Sequence, residues 1–209
     1  VETPMLQSIP GGALAKPFKT HLNALNLDFY LRIAPELYLK RLLVGGFEKI
    51  FEVGRAFRNE GMDRTHNPEF TILELYWAYQ DYEGLMSFVE ETVKGLVKMV
   101  LGGSLLTYED KKVDISGKWS RVEYDVLLKK HAGVDYYSAT KTQMHSAVKK
   151  LGIVVGKSAS KPELADEIYK KVILPKLTRP TFVINHPIDI SPLAKRKKGD
   201  PQKASRFQL

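Results

Sequence analysis

The chain reads as an α+β fold, one domain carrying an insertion, and three observations point there. Two strand-like segments, 48–60 and 68–79, alternate side chains at period two across a polar loop. Two stretches with helical spacing, after Pro35 and from Asp81, each close on a glycine pair. Between about 104 and 178 the texture changes to a lysine-rich, weakly apolar stretch of short helices, predicted to be an inserted module. The 209 residues, 44% apolar, suffice for one core plus a small appendage. Residues 1–103 and 179–209 then form the main body.

Taken in order, the chain starts with an apparent strand already under way at Val1-Glu-Thr-Pro4 and stops abruptly at Arg206-Phe-Gln-Leu209, so truncation at both ends is expected. Gly11-Gly12-Ala13 lets backbone come close to a ligand. Leu27 to Ile33 is short, apolar and aromatic, as a strand is. Pro35 suits the first turn of a helix with Leu39, Leu42 and Leu43 on one stripe, ended by Gly45-Gly46. The strand pair follows, then a helix from Asp81 carrying Leu85, Val89, Val93 and Val100 and closed by Gly102-Gly103. Leu105 to Ser116 reads as a hairpin turning at Glu109-Asp110-Lys111. Helices are predicted from about Arg121, Thr142 and Lys161, with capping boxes at Ser120–Glu123 and Ser160–Glu163. A strand runs over Thr181–Ile190, and the basic run Lys195–Lys198 reads as a solvated loop, with contact to RNA phosphate as the alternative.

Composition narrows the chemistry. The chain has no cysteine, which excludes disulfides and thiolate chemistry. No apolar run approaches the roughly 20 residues of a membrane helix, and no signal-peptide pattern opens the sequence, so a cytoplasmic location is expected. A net charge of +8 agrees with a phosphate-rich partner without requiring one.

In the strand pair, one face carries Glu52, Gly54, Ala56, Arg58 and Glu60 with Phe70, Ile72, Glu74, Tyr76 and Ala78. The other carries Phe51, Val53 and Phe57 with Leu73, Leu75 and Trp77, and is expected to pack under helices. Charged and aromatic groups on one rigid face suit a small-molecule site, in particular one where a carboxylate attacks the α-phosphorus of ATP. That reaction needs no protein nucleophile, only two anions held in line and their charge neutralised. Arg58 can fork onto a phosphoryl oxygen and the attacking carboxylate. The loop 61–67 can close over the distal phosphates with His66 and Arg64 as cations, Phe70 can stack on a purine, and Glu60 can accept from its amine. Glu74 and Tyr76 would receive an ammonium group and so select lysine, because a buried carboxylate without a cation is costly. Each residue also has a plainer reading: Arg58 and Glu60 as a surface ion pair, Glu74 as a solvated acid, Glu36 as a favourable charge at a helix start. His21, His131, His145 and His186 show no ligand spacing and read as structural or exposed.

The stretches Val1-Glu-Thr-Pro-Met-Leu, Pro10-Gly-Gly-Ala, Leu31-Arg-Ile-Ala-Pro-Glu, Phe57-Arg-Asn-Glu-Gly, Thr65-His-Asn-Pro-Glu-Phe-Thr, Glu74-Leu-Tyr-Trp-Ala-Tyr and Ile190-Ser-Pro-Leu-Ala-Lys resemble the catalytic core of class II lysyl-tRNA synthetases. The resemblance runs end to end and is weakest over 104–178. It implies an antiparallel sheet flanked by helices, with motif 2 whole and motif 3 absent. It assigns Arg58 to the α-phosphate and the lysine carboxylate as the catalytic residue, and places Glu60, Asn67 and Phe70 at the adenine and His66 near the γ-phosphate. Gly12 and Glu36 would hold the lysine α-amino group, and Glu74 and Tyr76 its ε-ammonium. It further implies ATP, magnesium with ligands beyond Leu209, tRNA for lysine, a homodimer, and poor activity of the isolated piece. Competing readings are a lysyltransferase acting on elongation factor P, aspartyl or asparaginyl relatives, and a non-catalytic nucleotide- or partner-binding fragment.

Overall fold

The computed structural model describes residues 1–108, 110–156 and 158–209. The chain divides into two compact units, Val1–Gln80 and Asp81–Leu209. Both mix helices with small sheets, so the α+β class is present throughout.

In the first unit, β1 (Leu6–Gln7), β2 (Lys19–Leu22) and β3 (Leu27–Leu31) form an antiparallel sheet in the order β1-β3-β2. The β2–β3 hairpin turns through Asn26, which takes a left-handed φ of 51°, a conformation asparagine tolerates well. No strand forms over Val1–Pro4. Proline supplies no donor there, and the N–H and hydroxyl of Thr3 go to the Glu52 carboxylate, at 3.2 and 2.7 Å. Helix α1 (Glu36–Val44) starts at Pro35 as its N-cap and buries Leu39. Strands β4 (Lys49–Phe57) and β5 (Glu69–Trp77) pair antiparallel over their whole length.

The burial of this ladder reverses the expectation from its composition. Phe51, Val53 and Leu73 are exposed, whereas Ile50, Glu52 and Ala56 are buried. Helix α1 packs against β4 and β5, and with Ile33 and Ala34 it contributes to the buried set on the side that carries the charged groups. The face with the acids is therefore the enclosed one.

In the second unit, α2 (Tyr82–Leu101) is capped by the Asp81 carboxylate, which accepts from the backbone of Glu83 and Gly84. Strands β6 (Leu105–Tyr108) and β7 (Lys111–Asp114) make the expected hairpin; of its turn, Glu109 lies outside the described residues. The predicted helix from Arg121 begins later. Ser120–Glu123 is strand β8, and the Glu123 carboxylate, instead of closing a capping box, accepts from Asn185 at 2.7 Å and Lys203 at 2.6 Å. Helices α3 (Tyr124–Ala132), α4 (Lys141–Lys150) and α5 (Lys161–Ile168) follow. The box at Ser160–Glu163 forms, and a second one, Thr140–Gln143, starts α4.

Strand β9 (Thr181–Ile184) ends earlier than predicted, because Asn185 turns to a φ of 55° and Pro187 cannot extend a ladder. It pairs parallel with β8, with the helices as the crossover between them. The basic run is not a free loop: β10 (Arg196–Lys197) pairs with β11 (Asp200–Ala204) around Gly199, whose φ of 84° permits the tight reversal. Strand β12 (Phe207–Gln208) pairs with β9, giving the order β12-β9-β8. One core gathers Tyr124, Leu128, Met144, Leu164, Ile168 and Ile173 with Val183 of β9; a second joins Met86, Ile115, Trp119 and Phe182. Among the described residues no helix is long and apolar enough to cross a membrane.

Candidate active site

Directly paired residues of an antiparallel ladder point to the same side. Ala56 lies opposite Phe70, Glu52 opposite Glu74, and Ile50 opposite Tyr76, so Phe70, Glu74 and Tyr76 share the enclosed face. The Tyr76 hydroxyl donates to Glu74 Oε2 at 3.3 Å. Burial pushes the Glu74 carboxyl above its ordinary range, and the charge of Glu36 adds to this; the Tyr76 bond and the guanidinium groups of Arg32 and Arg58 oppose it. Burial likewise raises the Tyr76 phenol, with Glu74 and Glu36 contributing. Two carboxylates, Glu74 and Glu36, close enough to disturb one another are relieved by a cation.

Beneath this group lies a buried base. The Arg32 side chain is 1% exposed and donates to the Arg55 carbonyl at 2.7 Å, to the Thr3 carbonyl and hydroxyl, and to the buried Glu52. Burial alone would raise the Glu52 carboxyl, but hydrogen bonds from Thr3 and Arg32 outweigh it and hold it below the usual range. Gly54 leaves the space this requires, since a Cβ there would collide with the Arg32 guanidinium. With Arg32 matched by Glu52, Glu74 has the neutral Tyr76 hydroxyl as its hydrogen-bond donor.

The loop between the strands is held at both ends. The backbone N–H of Arg58 donates to the Pro68 carbonyl at 2.8 Å and that of Asn59 to the Lys16 carbonyl at 2.7 Å. At its tip the Asp63 carboxylate accepts from the N–H and hydroxyl of Thr65 and from the N–H and Nδ1 of His66, all within 2.9 Å. Those bonds, the Thr65 amide first, lower the Asp63 pKa well below the carboxylate range. With Nδ1 tied to Asp63, the other ring nitrogen of His66 is left for a partner. Arg58, Glu60, Gly61, Thr65, His66, Asn67 and Phe70 line a cavity of about 220 Å³. The Arg58 guanidinium sits 5.1 Å from the centroid of the Phe70 ring and donates to the Ile33 carbonyl at 3.4 Å, which fixes its direction while leaving donors unused.

Gly12 belongs to the same neighbourhood. Its φ is 94°, and a Cβ on it would fall 3.0 Å from that of Glu36 and 3.2 Å from that of Ala34. The glycine backbone thus lies directly against the first turn of α1, where Glu36 also pairs with Lys40. All the candidate active-site residues read from the sequence are in the first unit. Arg58, Glu60, His66, Asn67 and Phe70 line one cavity; Gly12, Glu36, Glu74 and Tyr76 are grouped with Glu74 by charge and contact, and Arg64 does not line the cavity.

Two supporting residues, Arg32 and Asp63, escaped the sequence reading, and a third, Glu52, was placed on the charged face without a role. A glycine inside a strand signals close approach of something, and Asp63-x-Thr65 is a short-range turn pattern, so both signals existed. Among the described residues no group of three or more His, Asp or Glu could hold a metal ion.

The chain matches the family described as tRNA synthetases class II (D, K and N) over residues 1–209. It is 48% identical to the lysine–tRNA ligase of Pelotomaculum thermopropionicum, over all of this chain and 42% of that protein. The lysine–tRNA ligase of Syntrophomonas wolfei is 48% identical, over all of the chain and 43% of that protein. That of Listeria innocua is 46% identical, over all of the chain and 42% of that protein. The chain thus spans less than half the length of these curated relatives.

Proposed function

The chain belongs to the class II tRNA synthetases of the D, K and N group, and from that membership we propose that its first unit carries the lysine-activating site of a lysine–tRNA ligase. The observation that carries this reading is the pairing of Glu74 with Tyr76 on the enclosed face, where burial and Glu36 raise the carboxyl and leave it in want of a cation. A lysine ε-ammonium answers that need, and a neutral or acidic side chain does not.

With the side chain seated there, the α-ammonium lies toward Glu36 and the Gly12 backbone, and the carboxylate toward Arg58. The carboxylate oxygen attacks the α-phosphorus of ATP, the new acyl phosphate bond forms, and the bond to pyrophosphate breaks. Arg58 neutralises charge on the carboxylate and the α-phosphoryl oxygens during this step. Phe70 stacks on the adenine, Glu60 and Asn67 contact its edge, and His66, steered by Asp63, meets the distal phosphate. A ribose hydroxyl of tRNA for lysine then attacks the acyl carbon, the ester bond forms, and the bond to AMP breaks. Homodimerisation, a cytoplasmic setting and magnesium accompany this proposal as family expectations. So does the division into a catalytic core, 1–103 and 179–209, and an inserted module, 104–178.

Calorimetric titration of the 209-residue chain with a non-hydrolysable lysyl-adenylate analogue tests the reading. Saturable binding that Arg58→Ala weakens about tenfold or more supports it; absence of binding by the folded chain overturns it.

A further inference from the structure

A short connection, Arg32 to Pro35, leaves β3 and enters α1. It carries the Ile33 carbonyl that receives the Arg58 side chain, and it delivers Glu36 into the first turn of the helix. Where Glu36 stands relative to Arg58 therefore depends on how this connection is fastened to β4. A ligand that touches both residues, as an aminoacyl-adenylate does, reads that spacing; a nucleotide held at Arg58 and Phe70 alone does not.

Arg32 does the fastening, through its backbone and its side chain together. Its N–H donates to the Met5 carbonyl at 2.8 Å, and its carbonyl accepts from the N–H of Phe57, the residue before Arg58, at 2.9 Å. Its Nε donates to the Arg55 carbonyl at 2.7 Å, while Nη1 donates to the Thr3 carbonyl at 3.2 Å, to the Thr3 hydroxyl at 3.1 Å and to Glu52. The Thr3 hydroxyl passes its own proton to the second Glu52 oxygen, at 2.7 Å. Exchanging a buried ion pair for apolar residues is often neutral or stabilising, so stability alone does not account for this one. Gly54 points the same way: a Cβ there would collide with Nη2, so β4 gives up a side chain on its enclosed face to admit the guanidinium.

Building on the lysine-activating reading of the site, we propose that Arg32 is its positioning residue: bound to Arg55 and Phe57 of β4 and leading directly into Ile33, it holds Glu36 at a fixed spacing from Arg58, so that amino acid and nucleotide lie in line. Arg32 touches neither ligand and acts through those two residues. Its charge also opposes the rise that burial gives the Glu74 carboxyl, so charge and geometry have to be separated. Lysine at position 32 separates them, because it keeps the charge and loses the planar fork that reaches Arg55, Thr3 and Glu52 at once.

The test is a pair of calorimetric titrations, with ATP and with a non-hydrolysable lysyl-adenylate analogue, of the 209-residue chain and its Arg32→Lys variant. ATP meets only the Arg58 end, and Arg58 keeps its own backbone bond to Pro68, so ATP affinity should change less than about threefold. The analogue spans both ends, and its affinity should fall about tenfold or more. Equal losses for the two ligands would mean that Arg32 only supports the fold, and an unchanged analogue affinity would mean that it sets nothing the ligand reads; either result overturns the proposal. Absence of analogue binding by the wild type is a separate outcome, which overturns the lysine-activating reading and this assignment with it. Should Arg32→Lys fail to fold, Thr3→Val decides, since it removes only the hydroxyl shared by Arg32 and Glu52: a several-fold loss for the analogue with ATP unchanged supports the assignment, and no such split overturns it.

Discussion

Glu74 illustrates how one residue sets stability against function. Its folded pKa is raised, so the protonated form is the one the fold favours; the contribution is favourable at low pH and is lost as pH rises through the raised value. At pH 7 the ionised group is a burden. Glu74→Gln should therefore raise the melting temperature of the ligand-free chain at pH 7, show no such gain below the ordinary carboxylate range, and cost lysine affinity about tenfold or more. Glu52 has the opposite sign: its pKa is lowered, so its stabilisation is present at neutral pH and fades as pH falls through the folded value. Glu52→Gln strands the Arg32 guanidinium and should cost about 3–5 kcal/mol in denaturant unfolding. Arg58, Phe70, Glu74 and Tyr76 were legible because strand parity alone assigns them to one side. Arg32 was not, since only the folded chain brings an arginine from before α1 under Gly54 of β4.

At the scale of elements, the two long strands, α1, α2 and the β6–β7 hairpin could be read from period and punctuation. What could not be read was which side of the β4–β5 ladder is enclosed. Composition favoured the side with Phe51, Val53 and Leu73, but burial follows where α1 and its preceding segment lie, and they cover the other. Because Val53 and Leu73 are exposed, Val53→Thr with Leu73→Thr should shift the unfolding midpoint by less than about 0.5 kcal/mol per site, and should reduce binding of a hydrophobic dye. A loss of several kcal/mol would show that this side is packed. Ser120–Glu123 misled for a related reason: the capping pattern is local, whereas parallel pairing with β9 and the reach of Glu123 to Lys203 are not. The loop prediction belongs here too. Asp63→Ala frees Thr65 and His66 together, and should weaken ATP binding several-fold while leaving lysine binding nearly unchanged, as read by separate titrations.

For the whole molecule, the proposed chemistry belongs to the first compact unit, Val1–Gln80. With a net charge of +8, the proposed association with tRNA should be strongly salt-dependent, falling steeply between about 50 and 200 mM salt. The proposed substrate preference, however, rests on one carboxylate rather than on net charge. The most direct measurement compares the affinity of the chain for a lysyl-adenylate analogue with that for its norleucyl counterpart, in the wild type and in Glu74→Gln. The expected result is a preference of tenfold or more for the lysyl compound that the substitution abolishes. Equal affinities in the wild type, or a preference that survives in Glu74→Gln, would contradict the assignment.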